Sequence, residues 1–357
     1  DRLHEELTKS FIDKRASVLA RGLKQDISFE TKIENNEKVL INNQFIGNLK
    51  GLKLELDFKV GDLETDIKSL KKAARQNVSP EISKRINQII EGKQIELKED
   101  RKIYWNNFPI AILAKGADYL SPELNLIIDD IVENDEKLKL HSFLKKWLDK
   151  RIIDELDSLL KLKNINSVNA NIRALSYQLY ENNGVVKREE VLDIIKNLSQ
   201  DERKTLRNFG VKFGKYHIFL FKLFKPSVVS LRILLWKNFN GEDLNLHPPT
   251  FGLNFVNDIK YKNKKFMLLC GFEKFDSFFV RIDILERLFI EIINSNETKS
   301  EKVKLIPKML NLLGCNKESF VKVIKLMGYK VFDEKNETFF KYKPFKKIKK
   351  SLDLKIK

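Results

Sequence analysis

The chain has only two cysteines, Cys270 and Cys315, among its 357 residues. Two cysteines exclude a disulfide framework and a four-cysteine zinc site, which favours a reducing, cytoplasmic location. The sequence also lacks an apolar run of 18 residues and a signal peptide at its N-terminus, so we expect no membrane partner. Because the chain opens within a helical pattern over residues 1–24, we expect it to be a fragment of a longer protein.

Catalytic motifs are missing as well. Gly92-Lys93-Gln94 and Gly214-Lys215-Tyr216 lack the upstream glycine and the hydroxyl of a phosphate-binding loop, and neither G-x-G-x-x-G nor G-x-S-x-G occurs. The four histidines are far apart in sequence. Glu96-x-Lys98 is similar to the E-x-K half of a nuclease site, but no matching upstream aspartate stands at a strand end, so a solvated strand face is the better explanation. We therefore predict no catalytic residue, metal or cofactor within this chain.

Acidic residues are absent from Arg203–Gly241, which holds nine basic residues and eight aromatic ones. A polyanion meets no acidic repulsion on such a segment. The net charge of +17 is also uneven, because residues 1–165 carry 30 basic and 29 acidic side chains whereas residues 166–357 carry 37 and 21. Biased use of lysine would raise the number of basic residues in both halves, so it does not explain why acidic residues become scarce only in the second half.

The N-terminal half contains an internal repeat. Lys38-Val-Leu-Ile-Asn-Asn-Gln-Phe-Ile-Gly aligns with Lys102-Ile-Tyr-Trp-Asn-Asn-Phe-Pro-Ile-Ala at an offset of 64 residues. Each copy predicts a β-meander with an Asn-Asn hairpin turn, because asparagine tolerates positive φ. A helical segment follows each meander, 63–90 and 136–163, and we expect Ser79-Pro80-Glu81 to divide the first into two helices.

The C-terminal half is predicted to be mainly helical. Ser199-Gln-Asp-Glu202 fits a capping box at the start of a helix that ends before Gly210. Helices are also predicted over 170–181, 187–198, 226–236, 303–313 and 317–327, and another is capped by Asp283. Strands are predicted over 266–272 and 278–282, as a pair, and over 329–332.

The predicted fold class is thus α+β, with a duplicated β-meander plus helices, a mainly helical C-terminal half with a small strand pair, and a basic tail. The predicted boundaries are a leading helix over 1–25, meander repeats over 26–94 and 95–166, a basic helical domain over 167–247, an α+β subdomain over 248–335 and a tail over 336–357.

Basic and aromatic side chains together are typical of RNA binding, since aromatic rings stack on unpaired bases while cations follow the phosphates. We expect most of the aromatics to be buried, which leaves the cations as the predicted contacts. They are Arg203, Lys204, Arg207, Lys212, Lys215, Lys222 and Lys225, with Lys346, Lys347, Lys349 and Lys350 of the tail as secondary candidates. The helix 317–327 carries lysines on one face, which fits either a helix-turn-helix or an ordinary amphipathic pair.

Four stretches carry a family resemblance. They are Leu206-Arg-Asn-Phe-Gly-Val-Lys-Phe-Gly-Lys-Tyr-His-Ile-Phe-Leu with its continuation to Trp236, Leu3–Leu19, Asn42–Gly51 and Val280–Leu288. In this order they resemble the region downstream of the motor in bacterial relatives of the mitochondrial degradasome RNA helicase, a superfamily II family. The resemblance implies a full-length protein that hydrolyses ATP with magnesium and unwinds RNA, with RecA-like lobes that would precede Asp1.

The resulting hypothesis is an accessory C-terminal region of an ATP-dependent RNA helicase that binds RNA, with DNA as the alternative ligand. It predicts salt-sensitive binding by residues 166–357 and much weaker binding by residues 1–165. One alternative is a scaffold that recruits a ribonuclease or another protein partner. A free-standing nuclease that uses Glu96 and Lys98 is a third hypothesis.

Overall fold

The computed structural model describes residues 31–34, 37–41, 43–56, 64–92, 94–165, 169–241, 246–257, 263–295, 302–334 and 336–342. These residues form two compact units. The first contains the described residues up to Ile152 and 234–241, and the second contains 153–233 and the described residues from 246 onward. None of the described helices is long and apolar enough to cross a membrane. The predicted helix over 1–25 lies outside the described residues.

The first unit contains two antiparallel sheets of four strands, each in simple chain order. One sheet consists of β1 (Thr31–Glu34), β2 (Lys38–Ile41), β3 (Gln44–Lys50) and β4 (Lys53–Leu56). The other consists of β5 (Ile95–Leu97), β6 (Lys102–Trp105), β7 (Phe108–Ala114) and β8 (Glu123–Leu126).

The two meanders keep the offset of the sequence repeat. The first three strands of each sheet begin 64 residues apart, and so do the irregularities at Val39/Leu40 and Ile103/Tyr104. The turns that follow contain Asn43, Asn106 and Asn107 at positive φ of 61°, 48° and 66°. The left-handed conformation that the Asn pairs predict is therefore present in both hairpins.

A helix follows each sheet: α1 (Glu64–Ile90) and α2 (Asn134–Lys163). The predicted break in α1 is wrong, because the helix continues through Pro80. A proline inside a helix costs about 3 kcal/mol. The turns after Pro80 offset that cost by burying Ile82, Ile86 and Ile89, and by placing the Arg85 guanidinium 2.8 Å from the carbonyl of Gly51.

The second unit begins, after the C-terminal part of α2, with α3 (Ala170–Glu181), β9 (Val185–Lys187), α4 (Leu192–Asn197), α5 (Gln200–Asn208), β10 (Val211–Phe213) and β11 (His217–Leu220). We call residues 170–220 the first repeat. A 3₁₀ helix (Phe221–Phe224) follows, and then α6 (Pro226–Asn240), whose residues from 234 onward belong to the first unit. The middle repeat, 255–281, contains β12 (Phe255–Asn257), α7 (Lys264–Leu269), β13 (Phe272–Phe275) and β14 (Phe278–Arg281).

The last repeat, 282–342, contains α8 (Ile282–Asn294), β15 (Val303–Lys304), α9 (Pro307–Leu313), α10 (Lys317–Leu326), β16 (Tyr329–Glu334) and β17 (Glu337–Tyr342). Each repeat has one antiparallel three-stranded sheet, with the orders β10-β11-β9, β12-β14-β13 and β15-β17-β16. In every case the first strand pairs with the last strand of the hairpin. The α+β class is confirmed.

Several elements of the second unit correct the sequence predictions. The expected single strand pair is wrong, because nine strands in three sheets lie among the described residues. The predicted strand 266–272 begins instead as α7, since Asn263 Oδ1 accepts from the Phe266 amide and caps a helix there. The predicted helix 303–313 starts as a strand and becomes helical only at Pro307, a residue that favours the first helical turn.

Three further boundaries differ. Residues 185–187 pair with β11 as a strand, so the helix expected over 187–198 is confined to α4. Asp283 does not cap α8, which begins one residue earlier, and its carboxylate lies 2.7 Å from the Arg281 guanidinium. The first residues of the expected tail form β17, where the side chain of Phe340 is buried against Phe320.

Candidate nucleic-acid interface

The helix before each hairpin begins and ends in the same way in all three repeats. The side-chain oxygens of Ser199, Asn263 and Asn316 accept from the third amide of α5, α7 and α10, at 3.2, 3.0 and 2.8 Å. Each helix then ends two residues before a glycine whose φ is close to +90°, namely Gly210, Gly271 and Gly328. Because L-residues rarely adopt this conformation, these glycines determine where the backbone of each repeat turns from the helix into the hairpin.

The first and last repeats thus share one topology: helix, strand, two helices joined by a short turn, and a hairpin. The order of these elements is a helix pair joined by a short turn, as in a helix-turn-helix motif, followed by a β-hairpin. In helix-turn-helix proteins the second helix of the pair meets the nucleic acid. α5 and α10 occupy that position here.

The start of α5 confirms the predicted capping box. The Ser199 amide donates to Glu202 Oε2 at 2.5 Å, while the Glu202 amide donates to Ser199 Oγ. With Leu206 buried on the inner face, Lys204 and Arg207 lie exposed on the outer face. Arg203 is partly buried, and its guanidinium donates to the carbonyl of Ile195 at 2.8 Å, which fixes α5 against the end of α4.

Further exposed cations follow α5 in the chain, in the neighbouring strand and 3₁₀ helix. The Arg207 guanidinium carbon lies 5.6 Å from the ring centre of Phe213, a distance at which a cation and an aromatic ring attract. Lys212 is exposed in β10, and Lys222 and Lys225 are exposed around the 3₁₀ helix. The tail candidates Lys346, Lys347, Lys349 and Lys350 lie outside the described residues.

Two other cations of the acid-free segment are not on this face. Arg232 and Lys237 are buried in α6. The aromatic residues are mixed: Phe219 is buried, six others are half-buried, and Phe221 keeps half of its surface exposed.

The backbone amides of the loop at Lys215 bind a carboxylate that was not predicted from the sequence. Both oxygens of Glu286 in α8 accept backbone amides, from Lys215 at 2.5 Å, Tyr216 at 2.9 Å and His217 at 2.8 Å. A Cβ on Gly214 would lie 2.3 Å from that carboxyl carbon, so only glycine leaves room for it. The Lys215 ammonium lies over the rings of Phe289 and Tyr342, at 5.7 and 5.2 Å.

His217 joins this carboxylate to a second one. Its ring nitrogens lie 3.3 Å from Glu273 Oε2 and 3.5 Å from Glu286 Oε1, and Lys187 Nζ lies 2.8 Å from the other oxygen of Glu273. Because β11, β13 and α8 supply these residues, the buried cluster connects all three repeats. A segment that is free of acids in sequence is therefore next to two carboxylates in space.

The cluster makes stability depend on pH. Burial alone would lower the pKa of His217, but hydrogen bonds and charge from Glu273 and Glu286 raise it above 6.5. Burial would raise the pKa of Glu273, yet His217 and Lys187 hold it below 4.5. The stabilising effect of protonated His217 is complete below its unfolded pKa and is lost as pH rises through the raised folded value, whereas that of Glu273 is lost as the solution becomes acidic.

We therefore expect the stability of the second unit to fall as the pH rises from 6.5 through the raised pKa of His217, and His217→Gln to remove most of that fall. Denaturant midpoints measured across this range test it, with His247→Gln at an exposed histidine as the matched control. An unchanged pH profile in His217→Gln would show that the buried imidazole does not titrate in the expected range.

A cavity of about 340 Å³ opens beside this cluster, lined by residues that include Lys187, His217, Glu273, Phe275 and Met327. Lys187 and His217 both contact Glu273, so the charges of its wall compensate one another. The cavity is therefore a weaker place for a polyanion than the outer face of α5.

The other sequence candidates show less organisation. Lys98 Nζ lies 3.7 Å from Glu96 and 4.4 Å from the ring of Tyr104, at the surface of the second meander. Across the described ranges, no group of three or more His, Cys, Asp or Glu residues is arranged to hold a metal ion. Burial raises the pKa of Cys315 to about 11, so its thiol stays protonated at neutral pH.

Comparison of the chain with protein-family models, with curated proteins and with solved structures gives no match.

Proposed function

We propose that this chain binds RNA through the cationic outer face of the first repeat, as an accessory region of an ATP-dependent RNA helicase. ATP and magnesium would belong to motor domains that this chain does not contain. The exposed cations Lys204, Arg207 and Lys212 form the centre of the surface. Arg203, Lys215, Lys222 and Lys225 border it, and Lys346, Lys347, Lys349 and Lys350 would extend it.

One observation carries the proposal: the helix of a helix-turn-helix pair that would face nucleic acid displays Lys204 and Arg207 to solvent. Its two acidic residues, Asp201 and Glu202, lie in the first turn, and Glu202 is occupied by the capping box. The remaining outer surface of α5 is free to approach phosphates. Each phosphate that is neutralised releases counterions, so several such contacts produce strong, salt-sensitive binding.

RNA rather than DNA is favoured by the aromatic residues beside the cations. Half-buried Phe213 and half-exposed Phe221 lie within the same stretch as Lys212 and Lys222. Rings at the surface of a basic region can stack on unpaired bases, which single-stranded RNA offers more readily than duplex DNA.

The first unit suggests a different role. We propose that its two meanders are a duplicated module, because strands, irregularities and Asn turns recur at one offset. Residues 1–165 are almost neutral in charge. A neutral surface favours a protein over a polyanion, so recruitment of a ribonuclease is the second candidate function.

The triple variant Lys204→Gln/Arg207→Gln/Lys212→Gln is expected to weaken RNA binding about 10- to 100-fold at low salt, and to reduce the slope of log K against log salt by about 2. Fluorescence anisotropy with a labelled single-stranded RNA measures both, and duplex DNA of the same length serves as the competing ligand.

The matched control removes three exposed lysines of α2, Lys139→Gln/Lys146→Gln/Lys150→Gln, and should keep affinity and slope near those of the unmodified chain. All six positions are exposed, so circular dichroism should show both variants folded. Equal loss in the two variants would mean that net charge alone causes binding, and an unaffected first variant would refute the assigned surface.

A further inference from the structure

The three repeats can be aligned on Gly210, Gly271 and Gly328, whose φ is close to +90°. Six residues before them stand Lys204, Lys265 and Lys322, and all three lysines are exposed. Three residues before the glycine, the first and last repeats carry Arg207 and Lys325, which are also exposed. Two residues after it they carry Lys212 and Lys330, exposed again.

The pattern of buried residues shows that the aligned positions are structurally equivalent in the three repeats. Four residues before the glycine, Leu206, Met267 and Ile324 are buried, and the residue directly after it, Val211, Phe272 or Tyr329, is buried as well. The helix and the first hairpin strand therefore present the same positions to the core in each repeat. The same positions remain on the outside, including those of the cations.

The middle repeat departs from the pattern at two of the three positions. It has Leu268 where the other repeats have Arg207 and Lys325, and Glu273 where they have Lys212 and Lys330. Glu273 contacts His217 and Lys187 in the buried cluster. Thus the middle repeat supplies a structural carboxylate at the position where its neighbours supply an exposed cation.

The acids at the hairpin tip of the last repeat are occupied elsewhere. At the tip of its hairpin, Glu334 lies 2.6 Å from Lys302, Glu337 contacts Lys304, and Asp333 lies 3.7 Å from Lys317. These pairs leave Lys322, Lys325 and Lys330 uncompensated by the hairpin. The outer face of α10 carries Lys322 and Lys325 with one exposed acid, Glu318 in its first turn, and is cationic on balance.

We propose that Lys322, Lys325 and Lys330 form a second nucleic-acid site, equivalent to Lys204, Arg207 and Lys212 and specific for the phosphate backbone. The inference rests on the proposed function in one respect, since both sites take the same class of ligand. Two sites within one compact unit bind a long strand bivalently, because the second contact is made at a high effective concentration.

The test compares the full chain with Lys322→Gln/Lys325→Gln/Lys330→Gln, with the first-repeat triple variant, with both combined, and with the α2 control. On a single-stranded RNA of about 30 nucleotides, the last-repeat variant is expected to bind about 5- to 30-fold more weakly, with a salt slope reduced by about 2. On an RNA of about 6 nucleotides, which fills one site, each triple variant should bind one RNA per chain instead of about two.

The outcomes separate this proposal from the previous one. If the first-repeat variant is weakened and the last-repeat variant binds like the unmodified chain at every salt concentration, the second site is refuted while the proposed function stands. If only the last-repeat variant is weakened, the second site stands and the first is refuted. If neither loses affinity, both are wrong. Thermal unfolding of every variant confirms that the exposed substitutions leave the fold intact.

Discussion

Replacing Glu286 by alanine is expected to lower the free energy of unfolding of the second unit by about 3–5 kcal/mol. Glu286 is buried, and its carboxylate accepts the amides of Lys215, Tyr216 and His217. Alanine would leave three amides without this acceptor and would remove one of the two carboxylates beside the His217 ring. Hydrogen bonds to an ionised group are stronger than neutral ones, which is why the expected loss is large.

Two controls separate the carboxylate from the side-chain volume. Glu286→Gln keeps the shape and one acceptor oxygen, so we expect an intermediate loss. Glu318→Ala, at an exposed position of α10, should change stability by less than about 0.5 kcal/mol. Amide hydrogen exchange over 214–217 reports the site directly, and protection that survives in Glu286→Ala would contradict the role given to this carboxylate.

Arg232→Ala is expected to cost about 3–5 kcal/mol as well. Arg232 is fully buried in α6, and its guanidinium donates to the carbonyls of Leu223 at 3.3 Å and Asn183 at 2.5 Å. Asn183 and Gly184 lie in a turn at positive φ just before β9. Loss of the guanidinium would therefore leave a cavity and would unpair the carbonyls that hold this turn.

Arg232→Met is the control, because methionine fills most of the stem volume without the hydrogen bonds. We expect it to recover part of the lost stability, measured by urea unfolding at constant salt. RNA affinity should remain unchanged for folded Arg232→Met, since the guanidinium does not reach the surface. A loss of affinity with normal stability would instead place Arg232 in the interface.

The first unit was largely predictable because its signals are local. Its strands pair with their chain neighbours, its turns carry Asn43, Asn106 and Asn107, and its repeat has a constant offset. Pro80 misled the prediction because the penalty for proline is visible in the sequence, whereas the burial of Ile82, Ile86 and Ile89 that offsets it is not.

The second unit was harder because its strands are short and pair over long distances. β15 has two residues, too few to show any alternation, and it pairs with β17 across α9 and α10. A usable signal was nevertheless present. Gly210, Gly271 and Gly328 each follow a helical segment and precede a hydrophobic residue, and aligning them would have revealed the three repeats.

The exposed cations of the candidate interface were predictable from charge, but the acids beside them were not. Glu286 lies about 70 residues further along the chain than the amides that it binds. Only the fold brings it to Gly214. The same holds for Arg232, which a count of charges treats like Lys204 although the fold places it in the core.

The constant spacing between lysine and glycine in the three repeats also constrains how many residues can lie between them. In an α-helix each residue turns the next by about 100° about the axis. Deleting one residue between Lys322 and Gly328 would bring the lysine to the position now held by Val323, and the same deletion after Lys265 would bring it to that of Phe266. Both positions are buried. The rotational position of Lys265 and Lys322 around their helices therefore decides whether each side chain is exposed or buried. The number of residues between the lysine and the glycine thus matters as much as their identity.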